Sequence, residues 1–193
     1  MPPNPNTSIH LLAQIQSEVG RRATELAARR TSAPVAAAVL PIDSVEEWGG
    51  VPLQWGELLQ FCQEGNGLSY LRGGWSKAES ASVWSDGPSA TVLLPPFQSS
   101  IDVLLCVTAT AFTGTQGFQP VTLLVNGLAV ATWHVKEQNH YFALLPASII
   151  GLSKQPTTLR FQIANPCSPK MCGLGDDPRL LGMALHALEV RPF

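Results

Sequence analysis

The chain has 193 residues, of which 45% are hydrophobic and 13% charged, with a formal net charge of −2. That length holds one ordinary domain with a sizeable core and an appendage, and the sparse charge excludes a disordered chain, a coiled coil and a solvating tail. With 12 Lys+Arg against 14 Asp+Glu, no global basic field exists to hold nucleic acid.

The opening Met1-Pro2-Pro3-Asn4-Pro5-Asn6 has neither the basic nor the apolar part of an export signal, so a cytoplasmic protein is expected. Apolar stretches such as 35–40 and 123–125 fall far short of the roughly 20 residues of a membrane span. After a Ser8 cap, Ile9, Leu12, Ile15, Val19, Ala23 and Leu26 recur at spacings of three and four, which predicts an amphipathic helix to about Arg30. Gly20 weakens it by about 1 kcal/mol relative to Ala. Its polar face carries Arg21, Arg22, Arg29 and Arg30, either a solvated face favoured by the helix dipole or a docking face for a partner or anionic lipid.

Residues 31–43, punctuated by Pro34 and Pro41, read as an extended linker, so that 1–43 forms a helix and linker. Residues 44–72 hold Trp48, Trp55 and Phe61 and are expected to strap the main domain. Within them Glu57-Leu58-Leu59-Gln60-Phe61 suggests one or two helical turns before Gly65-Asn66-Gly67.

The main domain is expected over 73–193. Alternation or short apolar runs bounded by turns predict strands at 89–94, 101–109, 119–125, 128–135, 140–145, 157–163 and 181–190. Asn126-Gly127 lies between two of these runs and supplies the positive φ angles of a type I′ hairpin. Many short strands, 16 Gly, 16 Pro and no crossover helices predict an all-β antiparallel sandwich, a jelly roll. No repeat period of 20 to 50 residues is present.

Three clusters stand apart from the strand pattern. They are Gly73-Gly74-Trp75-Ser76-Lys77-Ala78-Glu79 with Val83-Trp84-Ser85-Asp86-Gly87, then Asn165-Pro166-Cys167-Ser168-Pro169, and Gly175-Asp176-Asp177-Pro178-Arg179-Leu180-Leu181-Gly182. In this order, with the Asn-Gly hairpin between them, the motifs resemble a β-sandwich module of bacterial surface-polysaccharide systems. That module occurs beside or fused to glycosyltransferases, methyltransferases and other enzymes of capsule or exopolysaccharide assembly. The resemblance covers about 73–190 and implies a jelly-roll, carbohydrate-binding-module-like domain without established catalytic residues. The matching positions are Trp75, Glu79, Trp84, Asn126, Gly127, Asp177, Arg179 and Gly182. The chain departs from the pattern at Cys167 and at Met171-Cys172, and the segment before Gly73 is not covered.

An aromatic face beside carboxylates and an arginine suits a sugar, whose apolar ring face packs on Trp while its hydroxyls take hydrogen bonds. The candidate ligand-binding residues are therefore Trp75, Glu79, Trp84, Asp177 and Arg179. The alternative is structural: tryptophans plugging the core, and Arg179 paired with Glu79 or Asp177 to pin loop ends. Asn126 and Gly127 are explained by their turn.

Enzyme signatures are missing. No Gly-x-Ser-x-Gly elbow, Walker loop or dinucleotide turn is present. Glu79 and Asp177 would make a glycosidase pair only if they faced one bond. His186, in Met183-Ala184-Leu185-His186-Ala187-Leu188, reads as a strand residue. Without an export signal, Cys62, Cys106, Cys167 and Cys172 are expected reduced, with Cys106 acting as a small buried hydrophobe. Cys167 and Cys172 could be half a zinc site, but His134 and His140 do not supply the second pair, so neither metal nor cofactor is expected.

The resulting expectation is a non-catalytic module that binds a glycan or glycan intermediate in polysaccharide biosynthesis. The alternative is an interaction module that docks a glycosyltransferase or another polysaccharide-assembly protein, or self-associates into a homo-oligomer through sheet edges or the Arg-rich helix.

Overall fold

A computed structural model describes residues 53–97, 99–150 and 155–193. The expected helix ending at Arg30, the linker and the first part of the strap lie outside these residues. Nine strands are described: β1 (Leu58–Gln60), β2 (Val83–Asp86), β3 (Ser89–Leu94), β4 (Val103–Ala111), β5 (Gln119–Val125), β6 (Leu128–Val135), β7 (Asn139–Leu145), β8 (Thr157–Ile163) and β9 (Leu181–Pro192). A single helical turn, α1 (Ala147–Ile150), follows β7. No described helix is long and apolar enough to cross a membrane.

The strands make two antiparallel sheets packed face to face, the jelly-roll sandwich expected. One sheet has the order β1-β9-β4-β7, with β2 also on β9; the other has the order β3-β8-β5-β6. The inner faces follow from alternation. In β4, Val103, Leu105, Val107 and Ala109 point inward, and in β8 Leu159, Phe161 and Ile163 face them from the second sheet.

The twelve-residue β9 organises the first sheet. Along one edge it pairs with β4 at 183–192, and along the other it pairs with β2 at 181–185 and β1 at 187–189. Opposite Thr108 and Ala109 the register slips, because Thr108 pairs with Ala187 and Ala109 with Leu185, leaving His186 as the extra residue of a bulge. The bulge moves the next inward side chain from Leu185 to Leu188.

Glu57–Phe61 does not form helical turns. Its middle residues are β1, in which Leu59 is fully buried while Leu58 is 49% exposed. Five residues are too few to overcome helix nucleation without tertiary help, whereas the edge of β9 offers ready partners. Gly56 N–H donates to the Val190 carbonyl at 2.9 Å and Phe61 N–H to the His186 carbonyl at 2.9 Å. The following Gly-Asn-Gly is a return turn. Asn66 Oδ1 accepts the Gln60 N–H at 2.8 Å, and Gly67 N–H donates to the Gln60 carbonyl at 2.9 Å. Phe61 and Tyr70 are buried with the sandwich core, which therefore takes in residues before Gly73.

Cys106 differs from expectation too. Alternation in β4 sends Leu105 and Val107 inward and leaves Cys106 half-buried on the outer face, where Sγ lies 3.9 Å from His140 Nδ1. Asn126 and Gly127 take φ of 49° and 85°, the positive angles expected of the hairpin.

Candidate functional site

The three motif clusters meet at one end of the sandwich. Residues 71–76 cross from the second sheet to the first. Leu71 bridges to Val92 of β3, Trp75 bridges to Ser85 of β2, and between them Gly73 and Gly74 carbonyls accept the Thr91 and Asp86 N–H groups at 3.0 and 2.9 Å. Gly74 makes this crossing feasible. Its φ is +90°, and a β-carbon there would lie 2.0 Å from the Ser89 carbonyl oxygen.

Trp75 is directed inward. Its indole N–H donates to the Thr91 carbonyl at 2.7 Å, and its ring meets Phe161 edge-on with centroids 6.0 Å apart. Trp84, one strand position before Ser85, occupies the outward side of β2 and is half-buried. Among the described residues its indole N–H meets no acceptor. Ser85 is fully buried, and its hydroxyl accepts the Met183 N–H at 2.9 Å. That satisfied inward hydroxyl explains why the short strand β2 escaped a search for apolar alternation.

The long loop from β8 to β9 is organised by side chains rather than by a core of its own. Gln119, 1% exposed, clamps Asn165 through both amide atoms: Nε2 donates to the Asn165 carbonyl at 2.8 Å and Oε1 accepts the Asn165 N–H at 3.0 Å. Ser168 Oγ accepts the Met171 N–H at 3.0 Å, and the Ser168 carbonyl accepts the Cys172 N–H at 3.0 Å, giving one capped helical turn. The chain then returns to β9 through Gly182, where a β-carbon would come within 2.5 Å of Ile163 Cγ2.

Arg179 joins the two loops. Its Nε reaches Asp177 Oδ1 and Oδ2 at 3.1 and 3.0 Å, and Nη2 reaches Asp177 Oδ2 at 2.7 Å and Glu79 Oε1 at 3.2 Å. Nη1 donates to Ser76 Oγ at 3.2 Å, and Ser76 in turn bonds the Trp84 carbonyl through both N–H and Oγ. Hydrogen bonds from the Arg179 side chain and backbone hold the Asp177 carboxyl below its ordinary pKa, and the bond to Asp177 raises that of Arg179. Glu79, Asp177 and Arg179 keep 46%, 30% and 32% of their side-chain surface exposed, so the cluster is in reach of solvent.

Glu79, Asp177 and Arg179 thus come together, Trp84 lies on the strand that Ser76 bonds, and Trp75 supports the cluster from the core side. Ser76 and Gln119 were missed as site-building residues. Ser76 sat inside the Trp-Ser-x-x-Glu motif, a usable signal, whereas nothing near Gln119 in sequence announces its partner Asn165, 46 positions away. His186 ties the same region down: Nε2 lies 3.0 Å from Thr110 Oγ1, and Nδ1 lies 3.0 Å from the Ala81 carbonyl, to which it donates. Among the described residues no group of three His, Cys, Asp or Glu side chains is arranged to hold a metal. A separate open groove of about 450 Å³, lined by Pro88, Ser89, Thr122, Gln162, Ile163 and Ala164, contains none of the five candidate residues.

No family model matches the chain, and no curated protein matches it. Among solved structures it is similar to the CBM22-2 xylan-binding domain of Xyn10C from Paenibacillus barcinonensis, at 12% identity and a TM-score of 0.45, covering 71% of this chain and 99% of that one. It is also similar to the CBM36-1 domain of a multidomain xylanase from the hindgut metagenome of Trinervitermes trinervoides, at 11% and 0.43, covering 71% and 97%. A third is the C-terminal CBM6 of LamC from Zobellia galactanivorans, at 10% and 0.42, covering 70% and 98%. Values this low leave the ligand to be argued from this chain's own residues.

Proposed function

We propose that the chain is a non-catalytic glycan-binding module of bacterial polysaccharide biosynthesis, working in the cytoplasm on a glycan or glycan intermediate. The observation that carries this reading is Trp84: an outward indole whose N–H meets no acceptor among the described residues, on the strand whose Trp84 carbonyl is bonded by Ser76 of the Arg179 cluster. Such a ring offers an apolar platform to one face of a pyranose. The partly exposed carboxylates of Glu79 and Asp177 take its hydroxyls as donors, and Arg179 supplies the complementary cation. Trp75 acts behind them by fixing the crossing segment. The order of the motifs, with its resemblance to modules of capsule and exopolysaccharide systems, supports the biosynthetic setting. Affinity in the micromolar to millimolar range is expected once the cost of association is subtracted from one stacked ring and a few hydrogen bonds.

A glycan-array screen of the purified chain beside folded Trp84→Ala tests the reading. Saturable binding lost in the variant supports it, and equal binding by both proteins, or by neither, refutes it. A second reading is favoured by the saturation of Arg179, which spends its contacts on Asp177, Glu79 and Ser76. In that case the cluster only braces the loops, and the module docks a glycosyltransferase or another assembly protein. Partner capture would then depend on residues 1–30 and be indifferent to Trp84.

A further inference from the structure

Two of the four cysteines converge. A β-carbon placed on Gly114, whose φ is +53°, would lie 2.8 Å from Cys167 Sγ and 3.3 Å from Cys172 Sγ, so both sulfurs rest over the same point of backbone. Burial, and after it the neighbouring Cys172 thiol, pushes the Cys167 thiol up from its ordinary pKa. Both are free and half-buried, whereas Cys106 lies beside His140 on the outer face of the first sheet. The intervening turn is short and open to solvent, with Met171 79% exposed. It is also tied to the segment carrying Asp177 and Arg179: Lys170 N–H donates to the Asp177 carbonyl at 3.0 Å, and Cys167 N–H to the Leu181 carbonyl at 3.0 Å.

We propose that Cys167 and Cys172 are a reversible dithiol–disulfide site that staples the loop carrying Asp177 and Arg179. The oxidant is a small disulfide of the glutathione class. One cysteine thiolate attacks its sulfur–sulfur bond, forming a mixed disulfide and releasing one thiol. The second cysteine thiolate then displaces the other half, which also leaves as a thiol. The protein gives up two thiol protons and two electrons, and the oxidant departs as two reduced thiols. Gly114 is what leaves room for both sulfurs, since a β-carbon there would crowd the two of them at once. The oxidised ring constrains the turn that contains the β9-paired Cys167 and the Asp177-paired Lys170, and so holds the Arg179 cluster more firmly whether or not a glycan binds.

The test uses the full chain treated with glutathione disulfide, followed by intact mass, tryptic mapping and amide hydrogen exchange. Cleavage after Arg160, Lys170 and Arg179 separates the two cysteines onto peptides 161–170 and 171–179. The expected product is lighter by two hydrogens, has these peptides joined, reverts with dithiothreitol, and exchanges more slowly over 168–180. Cys167→Ser and Cys172→Ser should each instead accumulate one glutathione adduct on the remaining partner. Stable adducts on both wild-type cysteines, a bond to Cys62 or Cys106, no reaction, or unchanged exchange after oxidation would each overturn the proposal.

Discussion

The two ends of the sandwich are built on different principles. At one end, β5 and β6 are joined by two residues, Asn126 and Gly127, whose positive φ angles set the turn. Asn126 Oδ1 accepts the Thr158 N–H at 2.9 Å while its Nδ2 donates to the Ile149 carbonyl at 3.2 Å. At the other end, residues 71–82 and 164–180 run without sheet partners over most of their length, and the Gln119 clamp, the Ser168 cap and the Arg179 fork hold them. A tight turn is specified by backbone conformation. A long loop over a sandwich must be specified by side chains, because it has little apolar surface to bury. The motif end is consequently more open than the hairpin end to change by substitution, acid and oxidation.

The largest effect should come from destroying the crossing that brings the motif end together. Gly74→Ala sets a β-carbon against the Ser89 carbonyl at a positive φ, and a loss of more than about 2–3 kcal/mol is expected in urea unfolding. An undiminished midpoint would show that the crossing relaxes freely.

Gln119→Leu keeps the volume of this buried side chain but removes both of its hydrogen bonds to the Asn165 backbone. A cost of about 2–3 kcal/mol is expected, read by the same unfolding curves. At the hairpin end Asn126→Ala should cost less, about 1–2 kcal/mol, from a left-handed φ and two lost hydrogen bonds. If Asn126→Ala proved the more damaging, the contrast between the ends would be reversed.

The smallest effect is electrostatic. Arg179→Met should lower the thermal midpoint by about 2–4 °C, because the cluster is about one-third exposed and screened. The sign with pH is fixed. The folded Asp177 carboxyl is held below its ordinary value of 3.8, so its contribution is present above that value and is lost as pH falls through the lowered one. Thermal melts from pH 6 downward should show the wild type losing its advantage over Arg179→Met on acidification. A constant difference at every pH would remove Asp177 from the account.

Reading along the chain found the long strands because their alternation is local. β3, β5, β6 and β8 have the bounds their pattern predicts, and each presents its apolar side to the core. It missed β1 and β2, which are three and four residues long and exist because β9 leaves an edge to be covered. The same limit applied to the candidate site. Trp75, Glu79, Trp84, Asp177 and Arg179 could be singled out as residues that strands do not need, but their directions could not.

Sequence by itself determined the sandwich, the positive-φ hairpin at Asn126-Gly127 and the set of polar residues to suspect, since each depends on period, propensity or a neighbouring residue. Tertiary structure alone decided that Trp75 turns to Phe161 while Trp84 turns outward. It also decided that Arg179 reaches Glu79 across 100 positions, and that Cys167 and Cys172 meet over Gly114. These are contacts between segments whose sequences carry no record of one another, and only the packing of the two sheets brings them within reach.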